Sequence, residues 1–195
     1  MTIKAFDSTR RRNSRAIAEL ASLGMIGDTV LDVTHNVGRF WREWQPAHLV
    51  RMDLDPLMPI DAQADLRALP FRAHAFDSVV LDPPYKANGT GGSCAEDAGY
   101  GVADGWTDRR PLYILGLGEA LRVCKPKGTV IVKFQDQIAG GKLVQQSSTI
   151  TQALATKADL LAQIHVLTTR QQPAVRAQKT PRNNYSTFQV WRKHR

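Results

Sequence analysis

Short apolar runs that end on acidic residues recur along this chain. Thr29 to Val33 contains Asp32, Leu49 to Asp53 closes on one, and Phe76 to Leu81 runs straight into Asp82-Pro83-Pro84-Tyr85. Apolar runs this short, bounded by turn residues, read as buried strands. Further strands are expected near Ile60 to Ala64, Thr129 to Phe134, Ile164 to Thr169 and Tyr185 to Trp191. Helical spacing lies between them. Ala16, Ile17, Leu20 and Ala21 predict a helix capped by Asn13 or Ser14 and stopped by Gly24. Phe40, Trp41 and Trp44 predict a short helix, and Leu112 to Val123 and 149–162 predict two more. Strands alternating with helices imply a doubly wound, mainly parallel α/β sheet with helices on both faces. In such a sheet ligands bind beyond the carboxyl ends of the strands, so the residues there are the ones to read.

With 195 residues, 43% of them apolar, the chain has material for one domain spanning 1–195. Residues 86–110 are glycine-rich loop chemistry, and 170–195 form a basic C-terminal part. No window reaches the apolar length of a membrane span, and Arg10, Arg11 and Arg12 are followed by no apolar signal region. Cys94 and Cys124 are the only cysteines and show no metal-ligand spacing. A reducing cytoplasm and no metal are the expectation. The net charge is +8 and uneven. No acid follows Asp159, while Arg170, Arg176, Lys179, Arg182, Arg192, Lys193 and Arg195 do; Arg10, Arg11, Arg12 and Arg15 form a second basic group. Uneven positive charge favours a polyanionic partner over a solvated basic surface.

The strongest chemical signal is Asp82-Pro83-Pro84-Tyr85 after an apolar strand. Two prolines stiffen the segment and remove two backbone donors, leaving carbonyls to accept. An aromatic amine is a poor nucleophile because its lone pair is delocalised into the ring. Acceptors from the Asp82 side chain and the Pro83 carbonyl would bind both amine hydrogens and stabilise positive charge developing on nitrogen, while Tyr85 would stack on the base. A proline-rich turn with a capping Asp is the plainer alternative. The second signal is the loop from Asp32 through Thr34, His35 and Asn36 to Gly38, where a nucleotide-like cofactor would meet backbone amides. Asn36 tolerates positive φ. Third, Asp53 suits ribose hydroxyls, with Asp55 second and also suited to capping before Pro56. Asp65, before Leu66, suits an adenine amine. The five histidines are scattered and form no hydrolytic constellation.

Taken in order, these residues resemble class I S-adenosylmethionine-dependent methyltransferases, in the amino-methyltransferase branch marked by Asp/Asn/Ser-Pro-Pro-aromatic. More closely, the chain is similar to small actinobacterial and phage DNA methylase-like proteins. The similarity lies in Leu31-Asp32-Val33-Thr34, Gly38-Arg39-Phe40-Trp41, Asp53-Leu54-Asp55-Pro56, Leu69-Pro70-Phe71, Asp82 to Thr90, and Gln178-Lys179 with Arg182-Asn183 and Ser186, covering roughly 28–192. The resemblance implies a seven-stranded sheet whose last strand is antiparallel. It implies S-adenosylmethionine as cofactor and S-adenosylhomocysteine as product. Asp32, Thr34, Asn36 and Gly38 would hold the methionine part, Asp53 the ribose, and Asp65 with Leu66 the adenine. Asp82, Pro83 and Tyr85 would hold the target amine and ring, with Pro84, Lys86, Arg182, Asn183 and Asn184 on the substrate side.

Two departures stand out. The cofactor loop reads Asn36-Val37-Gly38 where the family usually reads Gly-x-Gly. There is also no room for a separate target-recognition domain, so recognition would rest on 86–110 (with Tyr100 and Trp106), the basic tail, or a second subunit or homodimer partner. The expected activity is methyl transfer to a base amine, DNA adenine-N6 or cytosine-N4 ahead of RNA guanine-N2, with a protein glutamine amide behind. A non-catalytic nucleic-acid-binding subunit of the same fold is the alternative of another class.

Overall fold

A computed structural model describes residues 8–84, 109–139, 142–167 and 183–195. Ten strands run β1 (Thr9–Arg10), β2 (Thr29–Asp32), β3 (His48–Asp53), β4 (Ala62–Gln63), β5 (Phe76–Leu81), β6 (Cys124–Phe134), β7 (Gln137–Ala139), β8 (Lys142–Val144), β9 (Ala158–Leu167) and β10 (Tyr185–Lys193). Three α-helices accompany them: α1 (Asn13–Ser22), α2 (Arg109–Val123) and α3 (Gln146–Leu154). Eight strands form one sheet in the order β1-β9-β10-β6-β5-β2-β3-β4, and β7 and β8 pair as a separate hairpin. In the main sheet β10 is antiparallel to both its neighbours, and every other pairing is parallel. The seven expected strands are therefore present, the last one reversed. The eighth, β1, adds a parallel edge beside β9, where the Ser8 carbonyl accepts from the His165 N–H at 2.7 Å.

Strand alternation divides the core between the two faces. Val79 and Leu81 of β5 and Val130, Val132 and Phe134 of β6 pack under Leu112, Leu117 and Leu121 of α2 and Ile150 and Leu154 of α3. Val80 and Ile131 point the other way, toward Ala16, Ile17 and Leu20 of α1 and toward Phe40 and Phe188. Helices thus cover both faces, as a sheet apolar on both sides demands.

Several boundaries differ from the sequence reading. Arg12, not Asn13 or Ser14, occupies the cap position of α1 and makes no side-chain cap bond; the Ser14 hydroxyl instead donates to Glu43 at 2.9 Å. The short helix around Phe40 is a single 3-10 turn, Arg39–Trp41. The helix expected over 149–162 ends at Leu154, because Ala158 onward pairs with β10 from Lys193 back to Tyr185, with a register shift between Trp191 and Val190. β6 starts earlier than expected, at Cys124; Lys127 within its opening stretch has φ 62°. Burial pushes the Cys124 thiol up to about 12, so it is a packing group and not a nucleophile at neutral pH.

Gly128 sits where β6 meets β5. A Cβ there would lie 2.5 Å from the Asp77 carbonyl oxygen, 2.8 Å from Cys124 Sγ and 2.9 Å from the Lys125 carbonyl oxygen. Two of those three neighbours are main chain and cannot swing aside. Gly128→Ala is expected to destabilise the protein by about 1–3 kcal/mol through overpacking, read as a lower urea midpoint at unchanged slope.

Candidate active site

β2 and β5 are adjacent and parallel, so Asp32 and Asp82 emerge at the same end of the sheet. The loop after β2 is built around Asp32, which is 2% exposed. One of its oxygens accepts from the Thr34 N–H at 3.2 Å. The other accepts from His35 Nδ1 at 3.0 Å and Trp41 Nε1 at 2.6 Å. The His35 ring then lies against Gly38, where a Cβ would come within 2.8 Å of Nε2. Gly38 also has φ 68°, so both space and backbone require glycine there. Asn36 adopts φ 50°, the left-handed region that asparagine tolerates.

Every amide of this loop is already engaged. Val33 N–H donates to the Val80 carbonyl, Thr34 to Asp32, His35 to the Met52 carbonyl and Gly38 to the His35 carbonyl. Asn36 N–H donates to Asp53 Oδ2 at 2.7 Å, and Val37 N–H to Asn36 Oδ1 at 2.7 Å. The sequence suggested that a cofactor would meet backbone amides here. In this structure those amides are taken by other groups of the protein.

The other acids are equally committed. Asp53 holds Asn36 through one oxygen and accepts from the Asp55 N–H at 3.1 Å through the other. A carboxylate carries about four lone-pair sites, so capacity for a hydroxyl remains. Asp65 pairs with the Arg67 guanidinium and accepts its backbone N–H at 2.8 Å. Burial opposes ionisation of Asp65, but the bonds from Arg67 together hold its carboxyl below the usual range. Leu66 is wholly buried, packed against Gly116.

The Asp82-Pro83-Pro84 segment leaves β5 beside this loop. Asp82 N–H donates to Thr34 Oγ1 at 2.7 Å, fastening the two segments together. By alternation Asp82 projects on the same side of the sheet as Val80, and Lys133 on the same side as Ile131; Leu81 pairs with Val132, so the two charged side chains are neighbours. Lys133 Nζ lies 2.7 Å from Asp82 Oδ2, with the lysine side chain 5% exposed and the carboxylate side chain 23% exposed. The ammonium also sits 5.7 Å from the Phe40 ring centroid. The sequence reading missed Lys133. Its signal was a lone charge inside the apolar run from Val130 to Phe134.

Asn183 lies at this end of the sheet too, just before β10. Its carbonyl accepts from Gln135 Nε2 at 2.7 Å, and its Nδ2 donates to the Asp136 carbonyl at 3.0 Å. Asp136 in turn takes the backbone N–H and hydroxyl of Ser147 at the start of α3. Asn184 is exposed. Tyr85, Lys86 and Arg182, with Tyr100, Trp106 and most of the basic connection, lie outside the described residues. Among the described residues no group of His, Cys, Asp or Glu is arranged to hold a metal ion, and no helix is long and apolar enough to cross a membrane.

The Asp82–Lys133 pair can be measured directly. A double-mutant cycle of Asp82→Asn and Lys133→Met in urea denaturation is expected to return a coupling of about 1–3 kcal/mol, as for residues in one hydrogen-bonded ion pair. A coupling near zero would mean that the pair does not form in solution.

No family model matches the sequence, and no curated protein matches it. Solved structures do. The N-methyltransferase NodS from Bradyrhizobium japonicum WM9 superposes with TM-score 0.55 at 13% identity, over 93% of this chain and 94% of that one. A SAM-dependent methyltransferase from Methanosarcina mazei gives 0.55 at 9% identity, over 89% and 97%. TrmN from Thermus thermophilus gives 0.56 at 19% identity over 92% of this chain, which spans 48% of that protein. At such identities the likeness speaks to architecture, and with the strand order it assigns the chain the Rossmann-like fold of the class I methyltransferases.

Proposed function

We propose that this chain transfers a methyl group from S-adenosylmethionine to an exocyclic amine of a nucleic-acid base, adenine-N6 or cytosine-N4 of DNA. The observation that carries the proposal is the Thr34–Asp82 hydrogen bond, which ties an Asp-Pro-Pro segment to the loop after β2. A donor held by that loop and an acceptor held by that segment would then be close enough to react.

The residues present fit this cofactor. It carries an ammonium, a sulfonium and a carboxylate and no phosphate, and the acids gathered at this end of the sheet, Asp53 and Asp82, suit its cationic groups. Asp32 and Asn36 would shape the methionine end, and Asp53 would take ribose hydroxyls. Asp65 and Leu66 would adjoin the adenine, with Asp65 reaching it only beside or in place of Arg67. When bound, the cofactor supplies an electrophilic methyl group. Asp82 and the Pro83 carbonyl accept the two hydrogens of the target amine, which turns the nitrogen lone pair out of conjugation and toward the methyl. Transfer would leave S-adenosylhomocysteine as the departing group as the N–C bond forms and the S–C bond breaks, and the methylated nitrogen would release its extra proton to water by way of the Asp82 carboxylate that accepts it. Lys133 holds one oxygen of Asp82 by a charge-assisted bond, which fixes the direction of the carboxylate. In a duplex the base must leave the stack before it can reach Asp82.

The test is incubation with labelled S-adenosylmethionine and separate pools of duplex DNA, single-stranded DNA and RNA, followed by mass spectrometry of nucleosides. Label on N6-methyladenine or N4-methylcytosine is expected, with Asp82→Ala lowering kcat about 10²–10³-fold, the scale for loss of one transition-state hydrogen-bonding group. Label on RNA guanine would move the substrate and keep the chemistry. No label, from folded protein that also fails to bind S-adenosylhomocysteine, would favour the non-catalytic subunit. Asp53→Ala should weaken S-adenosylhomocysteine binding about tenfold in calorimetry, because a ribose hydroxyl bonded to a charged group is worth about 1.5 kcal/mol or more.

A further inference from the structure

The position of the N-terminal arginines is set by a strand that the sequence did not announce. β1 is parallel to β9, which is itself parallel to the central strands through the reversed β10. Its end at Arg10 is therefore at the carboxyl end of the sheet, the end where Asp82 emerges. Arg11 and Arg12 follow there, and α1 starts at Asn13 and runs back toward the opposite edge. The loop after β2 brings a second set to the same rim, with Arg39 opening the 3-10 turn and Arg42 closing it.

Glu43 joins the two sets. It accepts from Ser14 Oγ at 2.9 Å and lies 3.9 Å from both Arg12 Nη1 and Arg15 Nη1. Glu19 is the other acid in the group, buried between Arg10 and Arg15. Two glutamates thus stand against six arginines, and Arg11, Arg12, Arg15, Arg39 and Arg42 are exposed. Ion pairs at 3.9 Å on an open surface contribute little. The glutamates order the arginines without neutralising them.

From this arrangement we infer that the rim formed by Arg11, Arg12, Arg15, Arg39 and Arg42 is a docking surface for the phosphate backbone of the nucleic acid whose base is presented to Asp82. Arginine forks match phosphate oxygens two at a time, and backbone contacts position a duplex without reading its sequence. The inference rests on the nucleic-acid reading above, and its occupant is duplex DNA.

The test compares two triple variants of the full chain by fluorescence anisotropy, using labelled duplex DNA, single-stranded DNA and an RNA hairpin between 50 and 200 mM salt. One variant is Arg11→Gln, Arg12→Gln, Arg42→Gln. The other, Arg72→Gln, Lys127→Gln, Lys157→Gln, removes the same charge from exposed residues at the amino end of the sheet. The rim variant should bind duplex DNA at least tenfold more weakly at 100 mM salt, with the salt slope reduced by about 0.9 per lost phosphate contact. It should keep wild-type thermal stability and S-adenosylhomocysteine affinity, and the control variant should keep wild-type nucleic-acid binding. Equal losses in both variants, or none in the rim variant, would overturn the inference while leaving the proposed activity standing. Wild-type protein that binds none of the three nucleic acids would overturn the nucleic-acid reading itself, and the rim with it. Rim-dependent binding confined to the hairpin would overturn duplex DNA as the occupant of the rim.

Discussion

The site depends on one buried carboxylate. Asp32 has lost nearly all contact with water, and a carboxylate in that position is tolerated only when its oxygens are hydrogen-bonded. It receives three N–H donors, from Thr34, His35 and Trp41. Each bond fixes something further out. Thr34 is turned so that its hydroxyl receives Asp82. His35 fills the space over Gly38. Trp41 pins the 3-10 turn, which carries Phe40 under Phe188 and toward the Lys133 ammonium. Asp82 is therefore held from two directions, through Thr34 on its backbone and Lys133 on its side chain, and the path through Thr34 starts at Asp32.

The sheet was legible where burial on both faces writes itself as an apolar run. Phe76 to Leu81 matches its strand at both ends, and Thr29 to Val33 overruns its strand by one residue, while Leu49 to Asp53 and Tyr185 to Trp191 fall inside theirs. The misses have a common cause, which is structure imposed by a neighbour instead of by local pattern. β1 is two residues, Thr9 and Arg10, with no apolar signature; it exists because the edge of β9 has backbone groups to satisfy. Residues 158–162 read Ala-Asp-Leu-Leu-Ala, a composition compatible with helix or strand. Pairing with β10 decides for strand.

At the candidate site, the residues that follow the strands were legible in the sequence, and the bonds between them were not. Asp32, Thr34, Asn36, Gly38, Asp53 and Asp82 stand out because acids and turn residues follow apolar strands. What each holds could not be read, since the partners lie far apart in sequence. Lys133 is 51 residues from Asp82, and Gln135 is 48 from Asn183. Sequence periodicity places a residue on a face but does not say which side chain of the next strand it will meet.

The asparagine that replaces the usual glycine in the loop is explained by the same accounting. Glycine would allow the positive φ but could do nothing for the next amide. Asn36 allows it too, and its own Oδ1 accepts from Val37 N–H while its backbone N–H is taken by Asp53. The loop therefore closes its own hydrogen bonds from Val33 to Gly38. A loop satisfied in this way needs no ligand to hold its shape, and the asparagine gives up some space over the loop in return for that pre-organisation.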